Sequence, residues 1–236
     1  MNTRILKLIT AIAAVLFTAA TITAQEKTMS VMRKGEVIYQ ATVASVDSVI
    51  FSDPKPTALD AGVVIDGIRW ATRNVAAPGV FAKNPEDAGM FYQWNSKTGW
   101  SATDPKINSE GGTEWIYPWS GNDAASWEKM NDPCPPGWRM PTQAELKKLS
   151  DSGGVWESVN GVYGRQFGKL FLPIAGRRDY DDGWLSRMNS EEGNYWSSTI
   201  RNSNSYLLNF DNRFISVSAA VDSDRGYGYL CRCVLE

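Results

Sequence analysis

The sequence predicts an α+β domain of short antiparallel strands, one or two short helices and long irregular loops, preceded by a small β-ribbon. Three observations carry this. One helix start is unambiguous: Thr142 and Glu145 have the spacing of a capping box, and Leu146 and Leu149 follow on one face. Short strand-like runs recur at close spacing with turn residues between them, which argues for antiparallel meandering. Between them lie polar stretches rich in Gly, Asn, Ser, Asp and Trp with neither helical nor strand periodicity.

The chain has 236 residues, of which 43% are hydrophobic and 21% charged, the composition of a folded protein. Arg4 and Lys7 precede an apolar run from Leu8 to Ala20, and small residues follow up to Ala24 and Gln25. This reads as a secretory signal over 1–24. The run is shorter than the roughly 20 residues of a membrane span. Export to the periplasm, outer-membrane surface or medium follows, with no transmembrane segment after signal removal, and disulfides become permissible.

Residues 25–57 read as the ribbon and a linker. A hairpin turning at Lys34–Gly35 joins Thr28–Arg33 to Glu36–Tyr39, Val46–Phe51 reads as a further strand, and Asp53–Pro56 breaks the pattern. The main domain occupies 58–236. Strands flank a turn at Asp66–Gly67, and Gly89–Asn95 is a strand with Met90, Tyr92 and Trp94 on one face. The first long loop runs from Ser96 to Asn131, with a second short helix expected near Asp123–Met130. The stretch Asp132–Leu146 turns an extended, proline-rich approach into the docked helix, which ends at about Gly153. Lys169–Gly176 is a buried strand and Arg177–Glu192 a second loop. Strands follow at Asn194–Thr199, Ser205–Phe210 and Tyr227–Leu235, with a weaker one around Phe214–Val217.

Composition excludes several functions. A net charge of −2 without a basic block argues against nucleic acid. Histidine is absent, which removes Ser-His-Asp and Cys-His catalysis and helical His-Glu zinc sites. Three cysteines allow one disulfide and leave one thiol over. Cys231 and Cys233 lie two apart on a strand and face one side, so either can reach Cys134; with no histidine and only these sulfurs a metal site is disfavoured, and Cys231 reads as a buried thiol. Asp179, Asp181, Asp182, Glu191 and Glu192 crowd the second loop. Oxygen-rich loops suit calcium, but the spacing matches no calcium-loop pattern, and a solvated acidic loop accounts for them. No cofactor is expected.

Of the 10 tryptophans, Trp70, Trp94, Trp138 and Trp196 fall inside strand and helix-start motifs and are assigned to the core. Trp100, Trp115, Trp119, Tyr180 and Trp184 fall in the two loops. Flat aromatic faces beside polar groups such as Asp181 suit sugar or protein contact. The competing reading is that these rings staple the loops to the body. Arg177, Arg178 and Arg187 are candidate donors on the same surface.

The motifs Trp70–Val75, Gly89–Trp94, Cys134–Thr142, Gly193–Thr199 and Arg232–Val234 occur in this order. Together they resemble the Fibrobacter succinogenes major paralogous domain family (FISUMP) over the chain from about Val63 onward. The resemblance implies a C-type-lectin-like fold, and the Arg-Met-Pro-Thr-Gln-Ala-Glu helix start is similar to that of the formylglycine-generating enzyme, which shares it. It implies the pairing Cys134–Cys233, since the family places its cysteine at position 233 and an apolar residue at 231. It implies no chemistry. No second cysteine pair matches the redox pair of the generating enzyme, and the Glu-Pro-Asn and Gln-Pro-Asp triplets of calcium-dependent lectins are absent.

The expected function is therefore a non-enzymatic, exported binding module that recognises a glycan or surface protein through loops 96–131 and 177–192. The alternative is a structural subunit of a surface fibre or coat, self-associating through the N-terminal strands.

Overall fold

A computed structural model describes residues 27–33, 35–45, 60–119, 124–186, 191–218 and 225–236. The chain divides into two compact units, Met1–Asp53 and Pro54–Glu236. In the first, β1 (Thr28–Arg33) and β2 (Glu36–Thr42) form the expected antiparallel ribbon, with Met29 opposite Ala41 and Val31 opposite Tyr39. A 3-10 turn follows at Val43–Ser45. The leader at 1–24, the strand expected at Val46–Phe51 and the linker at Asp53–Pro56 lie outside the described residues.

The second unit contains β3 (Val63–Ile65), β4 (Ile68–Trp70), β5 (Met90–Tyr92), β6 (Gly99–Ser101), β7 (Trp138–Arg139), α1 (Gln143–Asp151), β8 (Val155–Val159), β9 (Val162–Phe167), β10 (Leu170–Pro173), β11 (Arg177–Arg178), β12 (Leu185–Ser186), β13 (Gly193–Arg201), β14 (Asn204–Phe210), β15 (Ile215–Ser218) and β16 (Val234–Leu235). Its described part is a set of small antiparallel sheets with one short α-helix, an α+β fold. The largest sheet has the order β3-β4-β16-β7, so the tail strand lies between the opening hairpin and the segment that leads into α1. Asp66 and Gly67 both have positive φ (47° and 78°), as a two-residue turn matched to strand twist requires.

The helix start forms as its sequence dictates. Thr142 Oγ1 accepts the Glu145 amide, and Glu145 Oε2 accepts the Thr142 amide at 2.8 Å. The same carboxylate takes a two-point contact from Arg139 at 2.9 and 2.6 Å, so the Arg-Met-Pro-Thr-Gln-Ala-Glu run is one hydrogen-bonded unit. Leu146 and Leu149 are buried beneath it.

The remaining motifs interlock in the core. Asn74 is fully buried and accepts Arg232 Nε at 2.8 Å, while Arg232 also donates to the Ala71 and Phe171 carbonyls at 3.0 Å each. Burial holds the Arg232 pKa down at about 10 and pushes that of neighbouring Tyr195 up to about 12. Tyr195 donates to the Pro173 carbonyl at 2.6 Å. Cys134 bonds to Cys233 across 99 positions. Cys231 is a free, buried thiol, pushed up by burial and then by the Asp132 charge, which makes it a poor nucleophile. Trp70, Trp94, Trp138 and Trp196 are core residues as expected, and Trp100 and Trp127 join them.

Several expectations need correction. The loop from Ser96 holds β6, which pairs with β5. The loop from Arg177 holds the β11–β12 hairpin. In place of a helix near Asp123–Met130, the described residues show a 3-10 turn at Lys129–Asn131. The stretch from Tyr227 is not one strand: Gly228, Tyr229 and Leu230 make single bridges to Arg178, Tyr92 and Tyr195 before β16 begins. The β8–β9 hairpin was not anticipated, although its turn is Asn160–Gly161 with φ of 50° and 84°.

Candidate binding surface

The two loops singled out in the sequence lie against each other, and a buried guanidinium holds them there. Arg178 is fully buried. It donates from Nε to the Ser101 carbonyl at 2.9 Å and from Nη2 to Ser101 Oγ and the Thr103 carbonyl at 3.0 Å each. Nη1 donates to the Gly183 carbonyl at 2.7 Å within its own loop. Burial lowers its pKa, and the Asp104 charge opposes that. Its backbone exchanges both hydrogen bonds with Gly228, which brings in a third segment. Arg178 is therefore a cross-link between loops, not a surface donor. Arg187 lies outside the described residues.

Two further contacts stitch the same seam. The Trp115 indole donates to the Tyr180 carbonyl at 3.0 Å, and its ring lies so close over Gly183 that a Cβ there would come within 2.5 Å of it. Lys106 Nζ donates to the Asp182 carbonyl at 2.6 Å. Gln93 Nε2 fixes the outer part of the first loop through the Ile116 carbonyl at 2.9 Å.

The candidate residues divide into two groups. Trp100 is 0% exposed and packs against Trp115 with ring centroids 5.0 Å apart, so its ring belongs to the core and offers no surface. Trp115 and Trp119 are half-buried; Trp119 donates to the Trp94 carbonyl at 2.7 Å. These rings are staples. Tyr180 and Trp184 face solvent at 38% and 68% exposure. Asp181 is exposed, and its carboxylate accepts the Asp182 amide. Arg177 is half-buried beside Asp179.

Sequence reasoning missed Tyr117, which is 59% exposed and meets Tyr180 with centroids 6.0 Å apart. Tyr180 meets Tyr227 edge-on at 5.2 Å, and the Arg177 guanidinium lies over Tyr227 at 4.6 Å. Tyr117, Tyr180, Tyr227 and Arg177 thus form a continuous ladder across the seam. Exposed Ile116 adjoins it in sequence. Trp184 stands apart on the hairpin tip, where its amide donates to Asp182 Oδ1 at 2.7 Å. Tyr117 was legible as an aromatic residue in the first loop, but its contact with Tyr180 was not.

Among the described residues no group of three or more His, Cys, Asp or Glu is placed to hold a metal ion, and no helix is long and apolar enough to cross a membrane. Compared with known proteins, the chain matches no family model, no curated protein and no solved structure.

Proposed function

We infer that the chain is an exported, non-enzymatic binding module of the FISUMP and C-type-lectin-like kind, which recognises a glycan or surface protein. The observation that carries this is the seam: Tyr117, Tyr180 and Trp184 face solvent on two loops that Arg178 and Trp115 fasten to each other. Exposed rings on a preordered frame bind with little loss of loop entropy. The chemistry available for catalysis is poor: the sequence has no histidine, and Cys231 is buried with its pKa raised. The proposed contact uses rings and side-chain donors, so chelation with EGTA leaves binding unchanged. Glycan-array and pull-down screens of the mature protein test the reading. Tyr117→Ala and Trp184→Ala should each weaken the binding found, and an absence of any binding, or binding indifferent to both substitutions, overturns it.

One observation favours a second reading, in which the chain is a structural subunit of a surface fibre or coat. Met32, Val37 and Tyr39 of the two-stranded ribbon are exposed, and so short a hairpin is marginal in water without a partner. Size-exclusion chromatography with and without residues 25–57 separates the readings. Concentration-dependent assembly that disappears on truncation supports the structural role.

A further inference from the structure

Arg177 is a half-buried cation with a single hydrogen-bond acceptor among the described residues. Its Nε donates to Asp179 Oδ1 at 3.2 Å, and its guanidinium lies 4.6 Å from the centroid of the Tyr227 ring. Tyr227 is itself stacked on Tyr229 at 5.6 Å with an interplanar angle of 11°. A ring beneath and a carboxylate at one edge fix both the plane and the direction of the guanidinium. Among the described residues the two terminal nitrogens take no hydrogen bond, and the side chain remains 18% exposed. A planar fork held in this way is preorganised for a two-point contact with an oxyanion, and the ordering cost of a free arginine is already met.

The surroundings narrow the ligand. Tyr180 packs on the same Tyr227 ring, and Tyr117 extends the aromatic surface beyond it, so an oxyanion at Arg177 has exposed rings beside it on which the apolar face of a sugar can lie. Asp181 and Asp182, next along the loop, are exposed. They repel a chain that carries charge on every unit. A single anionic group gains more from short-range pairing than it loses to solvated carboxylates screened by salt.

We propose that Arg177, backed by Tyr227 and flanked by Tyr180 and Tyr117, is the anion subsite of a saccharide-binding surface and takes a sugar ring bearing one carboxylate within an otherwise neutral glycan. This rests on the binding reading above.

The test uses the mature protein and four probes: a neutral oligosaccharide, the same oligosaccharide with one terminal uronic acid, the same with one sulfate, and a polyuronate. The single uronate should bind at least about tenfold more tightly than the neutral probe, the contribution of a charge-assisted pair. Arg177→Gln should abolish that preference, read as the ratio of uronate to neutral affinity within the variant, so that any weakening of neutral binding cancels. Arg177→Lys should restore only part of it, because an ammonium lacks the planar fork. Thermal melting of both variants checks that they fold as the parent does. Equal binding of neutral and uronate probes, or a preference that survives Arg177→Gln, overturns the subsite. Tighter binding of the sulfate overturns the carboxylate, and tighter binding of the polyuronate overturns the single charge. Failure to bind any glycan sinks the glycan reading itself, and is distinguishable because the neutral probe then fails as well.

Discussion

The indole N–H of Trp115 donates to the carbonyl of Tyr180 at 3.0 Å, joining positions 65 apart in the chain. One ring thus anchors the loop that carries Tyr117 to the loop that carries Tyr180 and Trp184, and it lies close against Gly183 around the fusion of its two rings. At Gly183 φ is +67°, which disfavours a side chain even before the ring is considered.

Trp115→Phe removes the donor and keeps most of the ring. It should cost about 1 kcal/mol, the net value of such a bond. Gly183→Ala adds strain and a clash, and should cost about 1–3 kcal/mol. In both variants amide hydrogen exchange across 179–184 should rise while exchange in β13 and β14 stays slow. Uniform acceleration throughout the unit would show instead that the seam is not a separable element.

Arg178→Met should be more damaging. It takes the donor away from the buried Gly183 carbonyl and from the part-buried Ser101 and Thr103 carbonyls. The desolvated Gly183 acceptor together with the two partly solvated ones should cost about 2–3 kcal/mol. Denaturant unfolding measures it. An unchanged midpoint would mean that water replaces the guanidinium at no cost.

The bridge between Cys134 and Cys233 closes a loop of 99 positions. Loop-closure entropy puts its contribution at roughly 4–5 kcal/mol. The Cys134→Ser, Cys233→Ser double variant should lose that much stability. Mass mapping of unreduced protein should find Cys231 alone alkylated after denaturation. A free Cys134 or Cys233 in protein prepared under oxidising conditions would contradict the bridge.

Acid should act through Asp60. Burial alone would push its carboxyl up, but the Thr72 and Gly62 amides, the Thr72 hydroxyl and Arg73 hold it below its ordinary 3.8. A folded-state value below the unfolded one contributes stability that is present above the unfolded pKa and is lost as pH falls through the folded value. The loss from this group therefore begins near pH 4 and continues downward. Asp132 has the opposite sign, since burial outweighs its hydrogen bonds and raises its pKa. Asp60→Asn should be less stable than the parent at pH 7, and the gap should shrink by pH 2. Parallel pH profiles for the two proteins would rule Asp60 out as the source.

What could be read from the sequence tracks how local its cause is. The Thr142–Glu145 cap and the Asp66–Gly67 turn form within a few residues, and both stand where the spacing put them. Asn160–Gly161 is an equally local turn signal between strand-like runs and was overlooked. The two- and three-residue strands β6, β11 and β12 are too short for any periodicity to mark them. Nothing in their sequence neighbourhoods distinguishes Trp100 from Trp184, both set among Gly, Ser and Asp; one is buried because Trp115 and Arg178 close over its loop, a cause that lies far away along the chain. The motifs that carried the family resemblance turn out to build the frame, through Asn74, Arg232, Glu145 and Cys233, and none of them lies on the exposed ladder.

In the sheet of order β3-β4-β16-β7, Trp70 is the common partner of Val63 and Val234. The first and last strands of the larger unit therefore stand either side of one strand, about 10 Å apart at ordinary strand spacing. Such a body can be threaded into a host polypeptide through a single opening, or rejoined head to tail and cut elsewhere. Cutting at the solvent-facing Asn160–Gly161 turn, with a short glycine-rich joint between the old ends, would leave every sheet pairing of that unit intact.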